Sequence, residues 1–172
     1  KEKKDEFDWL QKHDPKDLDL IPLKGKKGLK KTCIKGLLET DFKPEELIVS
    51  PWLPTQGLCM IHARPGVGKT FLAIGIAFAV AAGGKFLKWE APQARGILYV
   101  DGEMAGNDIK SRYEKIVVEH GFALPEKPLD IITPDLNEDL IPDIGTKAGQ
   151  KLIEGQMIDE TELLILDNIS CL

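Results

Sequence analysis

The sequence predicts an α/β fold, a mostly parallel sheet flanked by helices, and three observations carry that prediction. Apolar runs the length of buried strands recur at 57–63, 96–104, 129–134 and 163–170. Stretches with helical signatures lie between them, at 70–82, 107–119 and 147–157. Strands that alternate with helices build parallel sheets, because a parallel crossover needs a connection long enough for a helix. The third observation is a glycine-rich turn, Arg64-Pro65-Gly66-Val67-Gly68-Lys69, which joins the first run to the first helix.

Each element follows from local chemistry. The run GLCMIHA at 57–63 is short, apolar and bounded by turn residues, which reads as a buried strand. The stretch 70–82 is apolar on every face and is followed by Gly83-Gly84, the signature of a helix buried on several sides with a left-handed cap. GILYVDGEM at 96–104 is the second strand. In 107–119, Ile109, Tyr113, Ile116 and Val117 share one helical face, and Gly121 closes the helix. LDIITP is the third strand, followed by the acidic loop LNEDLIPDIG. The helix at 147–157 is weakened by Gly149 and Gly155. LLILDNIS is the last strand. Phe42 to Trp52 is a lead-in that packs on the core, kept extended by Pro44, Pro51 and Pro54.

The chain has 172 residues, 42% hydrophobic and 30% charged, enough for one domain of ordinary size. We divide it into a charged arm or linker, 1–46, and a core, 47–172. The net charge of -5 excludes a protein that coats DNA over its whole surface, but not a local basic patch. One such stretch exists in the arm: Lys24, Lys26, Lys27, Lys30, Lys31 and Lys35, spaced by Gly25 and Gly28. It reads as a solvated arm, with contact to a phosphate backbone as the sharper alternative. Cys33, Cys59 and Cys171 form no CxxC or Cys/His cluster, which implies a reduced, cytoplasmic protein. The longest apolar stretch, 71–82, falls short of the ~20 residues of a membrane span. The chain starts on Lys rather than Met and stops directly after an apolar strand, so it reads as part of a longer protein, truncated after that strand.

The strongest motif is Ala63-Arg64-Pro65-Gly66-Val67-Gly68-Lys69-Thr70, the Walker A phosphate loop with Ala63 in place of the first glycine. Gly66 and Gly68 let backbone N–H groups curl around phosphate oxygens, and the following helix adds its positive end. Lys69 reaches the β- and γ-phosphates, and the Thr70 hydroxyl ligates Mg²⁺. The expected nucleotide contacts are therefore Arg64, Pro65, Gly66, Val67, Gly68, Lys69, Thr70 and Phe71. Arg64 has no individual role, and Pro65 stiffens the loop.

Two acidic strand ends complete the expected site, since ligands of open α/β sheets bind beyond the carboxyl ends of the strands. Asp167 closes Leu163-Leu164-Ile165-Leu166, the Walker B pattern, and is assigned to Mg²⁺ beside Thr70. The next residue is Asn168, where many ATPases carry a catalytic Glu. Glu103, at the end of the separate run Ile97-Leu98-Tyr99-Val100-Asp101-Gly102-Glu103, is the preferred general base, with Lys69 as the other catalytic group. Asp101, on the same strand, is the competing base.

PWLPTQGLCMIHARPGVGKTFLAIGIAFAVAAGG, ILYVDGEM and LLILDNIS together resemble the RecA-like ATPases of the RepA helicase and AAA_25 type, found in replication modules of plasmids, phages and integrative elements. The resemblance covers about Leu47 to Leu172. It implies a RecA-like core, ATP and Mg²⁺ as ligands, a homo-oligomeric ring and single-stranded DNA as track. It assigns Lys69 and Thr70 to phosphate and metal, Glu103 to catalysis and Asp167 to the Walker B acid. A nucleotide-gated switch or scaffold without helicase activity is the alternative. A small-molecule kinase is less favoured, since its arginine-rich lid is not evident among Arg64, Arg95 and Arg112.

Overall fold

A computed structural model describes residues 31–121, 123–138 and 141–172. They fall into two compact units divided between Lys43 and Pro44. In the first, α1 (Ile34–Leu38) is a single short turn of helix within the lysine-rich stretch. Of that stretch only Lys31 and Lys35 lie among the described residues.

The second unit is built on a three-stranded parallel sheet in the order β6-β5-β7, with β5 at Gly96–Asp101, β6 at Leu129–Ile132 and β7 at Thr161–Asp167. Every residue of the central strand β5 is buried. A strand covered on both faces has no solvent side to alternate towards, which is why its sequence reads as continuously apolar. Its residues nevertheless divide between two cores. Ile97 and Tyr99 pack with α2 (Lys69–Ala82) and with Ile116 of α3 (Gly106–Glu119). Leu98 and Val100 pack with Ile153 of α4 (Lys147–Glu154). The chain steps from β5 to β6 on one side through α3, then back past β5 to β7 through α4. Right-handed crossovers that reverse direction must place their helices on opposite faces, as found.

Helix α2 is the spine of the first core, with every residue from Ile74 to Ala81 buried. Its end is fixed by a Schellman motif: Gly83 takes φ 64°, its N–H donates to Val80 O at 3.3 Å, and the Gly84 N–H donates to Ala79 O at 2.8 Å. The same turn is pinned to the sheet. The Arg95 N–H donates to Val80 O and the Lys127 N–H to Ala81 O, both at 3.0 Å. The last turn of α2 thus meets the chain just ahead of β5 and β6, so α2 runs antiparallel to the strands and its first turn points to their carboxyl ends. Arg95, buried at the start of β5, pairs with Glu46 at 2.8 Å and with Glu162, tying the lead-in and β7 to the same point.

Two small antiparallel pairs escape the sequence reading: β1 (Leu47–Val49) with β2 (Leu53–Pro54), and β3 (Lys85–Phe86) with β4 (Trp89–Glu90). Both are too short to show a period. They close the α2 core, where Trp52 and Trp89 meet edge to face at 5.5 Å.

One expected element is absent. Residues 57–63 are not a buried strand: they carry no regular structure, and Leu58 and Met60 are 100% and 74% exposed. A strand requires neighbours for its N–H and C=O groups, and none of the described strands pairs with this run. The apolar pattern has the composition of a strand but supplies no partner. The other expected strands form with trimmed ends, the last starting two residues early at Thr161 and stopping at Asp167. The helix expected to reach 157 stops at Glu154, before Gly155.

Candidate nucleotide site

The phosphate-loop residues enter α2 as a glycine-shaped curve. Gly66 has φ 80° and Gly68 has φ 92°, the left-handed region that side chains enter at a cost. A Cβ at either position would meet nothing within 4 Å. The glycines are therefore not packing against protein. Their open side is space that a side chain would fill, which is the fit a phosphate cradle needs. Gly68 is also the N-cap of α2 and supplies no side-chain cap to the first turn. The N–H groups there are left for an external acceptor, and an anion suits them.

Arg64, Pro65, Gly66, Val67 and Gly68 are exposed, and Lys69 and Thr70 are half-buried. The Lys69 ammonium curls back on its own loop, donating to Ala63 O at 3.0 Å and Arg64 O at 3.3 Å. Phe71 lies outside the curve, its ring tilted against Phe86 at 6.2 Å.

The acidic residues converge at the carboxyl ends of β5 and β7. Asp101 and Asp167 face each other in register, and the Gly102 N–H extends the ladder to Asp167 O at 2.9 Å. Leu163 and Ile165 belong to the α2 core, so Asp167, two residues on, shares the sheet face that α2 covers. This is the face, and the end of the sheet, towards which the first turn of α2 points.

The two candidate bases have different surroundings. Asp101 is 1% exposed and accepts from the Met104 N–H at 2.7 Å and the Glu103 N–H at 3.2 Å. Burial raises its pKa above the ordinary value, against the pull of those two N–H groups. It caps its own turn. Glu103 is exposed, and its Oε2 accepts from the Asn168 amide at 2.6 Å, with Cys171 Sγ at 3.8 Å. Ser170 in turn donates to the Asn168 side-chain oxygen at 2.5 Å. A carboxylate in this position is open to a water molecule, whereas Asp101 is not.

Two residues outside the sequence reading join this cluster. Asn168 stood out only for not being Glu, yet it is the group that holds Glu103. Tyr99, read as a strand residue, donates from its hydroxyl to Asp167 Oδ2 at 2.7 Å. The signal for the second lay in register: Tyr99 opposes Ile165, which makes Asp167 its diagonal neighbour on one face, within reach of a long side chain.

A phosphate-loop curve at the N-terminus of a core helix, in a domain whose parallel strands end in acidic residues, is the pattern of a nucleotide-binding α/β domain, and comparison with family models decides which. A model of the AAA_25 family, described as an AAA domain, matches residues 28–172. The chain belongs to the AAA_25 family. No curated protein and no solved structure matches the chain. Membership carries nucleotide binding and assigns the domain to the ATPases. It agrees with the fold, a RecA-like parallel sheet flanked by helices.

The donors for a metal are few. Among the described residues, no group of three or more His, Cys, Asp and Glu side chains is placed to hold one. A Mg²⁺ ion here would need nucleotide oxygens in its shell. That suits an ion that is bound through one or two carboxylates plus substrate phosphates. No described helix is long and apolar enough to cross a membrane.

Proposed function

We propose that this AAA_25 domain binds and hydrolyses Mg-ATP and serves as the motor of a DNA-dependent ATPase, a replicative helicase or loader acting as a homo-oligomeric ring on single-stranded DNA. The observation that carries the ATPase part is the open Gly66–Gly68 curve at the start of α2; the exposed Glu103, held by Asn168, is the acid we assign to it. In this reading the loop N–H groups and Lys69 hold the β- and γ-phosphates. Thr70 and Asp167 hold Mg²⁺, which neutralises charge on the phosphates when bound. Glu103 accepts the proton of the attacking water, and Asn168 orients its carboxylate. Asp101 is a structural acid, because an interior carboxylate capping its own turn has no path to that water.

The DNA part rests on the resemblance carried by Trp52-Leu53-Pro54 and Asp101-Gly102-Glu103-Met104, and on the lysine-rich stretch ahead of the core. The test is ATP turnover with and without single-stranded DNA, for the native protein and Glu103→Gln. Glu103 is exposed and its amide isostere can still accept from Asn168, so the variant should fold and bind Mg-ATP as before. General-base removal should slow turnover by about 10²–10⁴-fold. Stimulation by single-stranded DNA supports the motor reading. Turnover that ignores DNA assigns the domain to the switch or scaffold class. Unimpaired turnover in Glu103→Gln removes Glu103 from the chemistry.

A further inference from the structure

We propose that Tyr99 is a positioning residue for the metal: its hydroxyl fixes the Asp167 carboxylate in the orientation that presents the opposite oxygen to a Mg–nucleotide complex. The inference rests on the reading of Asp167 as the metal-side acid. Tyr99 lies in the middle of the central strand at 0% exposure, packed in the α2 core with its ring edge-on to Tyr113 at 6.5 Å. A side chain held on every side carries its hydroxyl to one fixed point. That point is 2.7 Å from Asp167 Oδ2, and among the described residues Asp167 Oδ1 accepts no hydrogen bond. One carboxylate oxygen is anchored from the interior, and the other is left for a ligand.

The plainer account is that Asp167 merely satisfies a buried hydroxyl. Tyr113 argues against it. Its hydroxyl, packed against the same core, has no hydrogen-bond partner among the described residues. Of the two phenols, the one that meets a side-chain partner among the described residues is the one that meets the candidate metal ligand. Partners that orient a ligating group typically contribute 10–100-fold in metal affinity.

The experiment compares Tyr99→Phe, Tyr113→Phe and Asp167→Asn with the native protein. A fluorescent ATP analogue is titrated in EDTA, and then at fixed nucleotide while Mg²⁺ is raised. Tyr99→Phe should bind the analogue normally in EDTA and need about 10–100-fold more Mg²⁺ for half-maximal effect. Asp167→Asn should show at least as large a shift, and Tyr113→Phe none. An unchanged Mg²⁺ requirement in Tyr99→Phe beside a shifted one in Asp167→Asn overturns the positioning role and leaves the reading of Asp167 intact. An unchanged requirement in Asp167→Asn overturns that reading, and the role of Tyr99 with it. An equal shift in Tyr113→Phe, or a Tyr99→Phe chain that fails to fold, assigns the Tyr99 hydroxyl to packing and overturns the proposal.

Discussion

Replacing Gly68 by Ala separates what the loop costs the fold from what it gives to binding. Gly68 sits at φ 92°, ψ 25°, and a Cβ built there touches nothing within 4 Å. With no clash to relieve, the penalty to the folded chain is the left-handed backbone alone, roughly 1–2 kcal/mol. For a domain of this size that corresponds to a fall in Tm of about 2–8 °C. Binding suffers differently, because the new methyl fills the space assigned to phosphate. Each charge-assisted hydrogen bond lost contributes about 1.5–3 kcal/mol. Losing two raises the ATP Kd by more than about 100-fold, at a factor of ten per 1.4 kcal/mol. Differential scanning calorimetry gives the first number and titration calorimetry with Mg-ATP the second. A variant that loses stability by the stated amount yet binds Mg-ATP normally would refute the cradle, since the open side of Gly68 would then face something other than phosphate.

Two further predictions concern the core. Asp101→Asn keeps the oxygen that accepts from Met104 and Glu103 but cannot ionise. Because the folded pKa of Asp101 lies above its ordinary 3.8, the stability it contributes is full below pH 3.8 and lost as pH rises through the folded value. Native stability measured against Asp101→Asn by denaturant unfolding should therefore decline over that window, and a difference constant with pH contradicts the buried placement of Asp101. Gly75→Ala drives a methyl into the Phe86 ring, the nearest neighbour of a Cβ at that position. Overpacking of this kind costs about 1–3 kcal/mol, and a variant as stable as the native chain in chemical unfolding would show that α2 and β3 pack less closely than described.

Much of this was legible beforehand because it is written in local chemistry. Gly83 marks the end of α2 because a left-handed cap returns two N–H groups to the last carbonyls, and glycine takes the φ of 64° that this cap needs without strain. The strands β5, β6 and β7 announce themselves by apolar runs, and Asp101 and Asp167 by ending them. Partnership is what the sequence withholds. Residues 57–63 have the composition of a strand, but a ladder belongs to two chain segments and none of the described strands lies beside them. The turn joining β3 to β4 places Leu87 at φ 55°, a position that glycine or asparagine would have flagged and leucine does not. Asn168 and Tyr99 became visible only when register set them beside Glu103 and Asp167. The basic stretch points to a polyanion by charge alone, and most of it lies outside the described residues.

The central claim is that the loop at 63–70 holds Mg-ATP through Lys69, and titration calorimetry of Mg-ATP into the native protein and Lys69→Ala tests it most directly. Among the described residues Lys69 bonds only to two carbonyls of its own loop, so the substitution should leave Tm nearly unchanged. Losing a cation hydrogen-bonded to phosphate should cost about 1.5–3 kcal/mol, a rise in Kd of roughly 10- to 150-fold. Equal Mg-ATP affinity in the two proteins, both shown to be folded, would contradict the account.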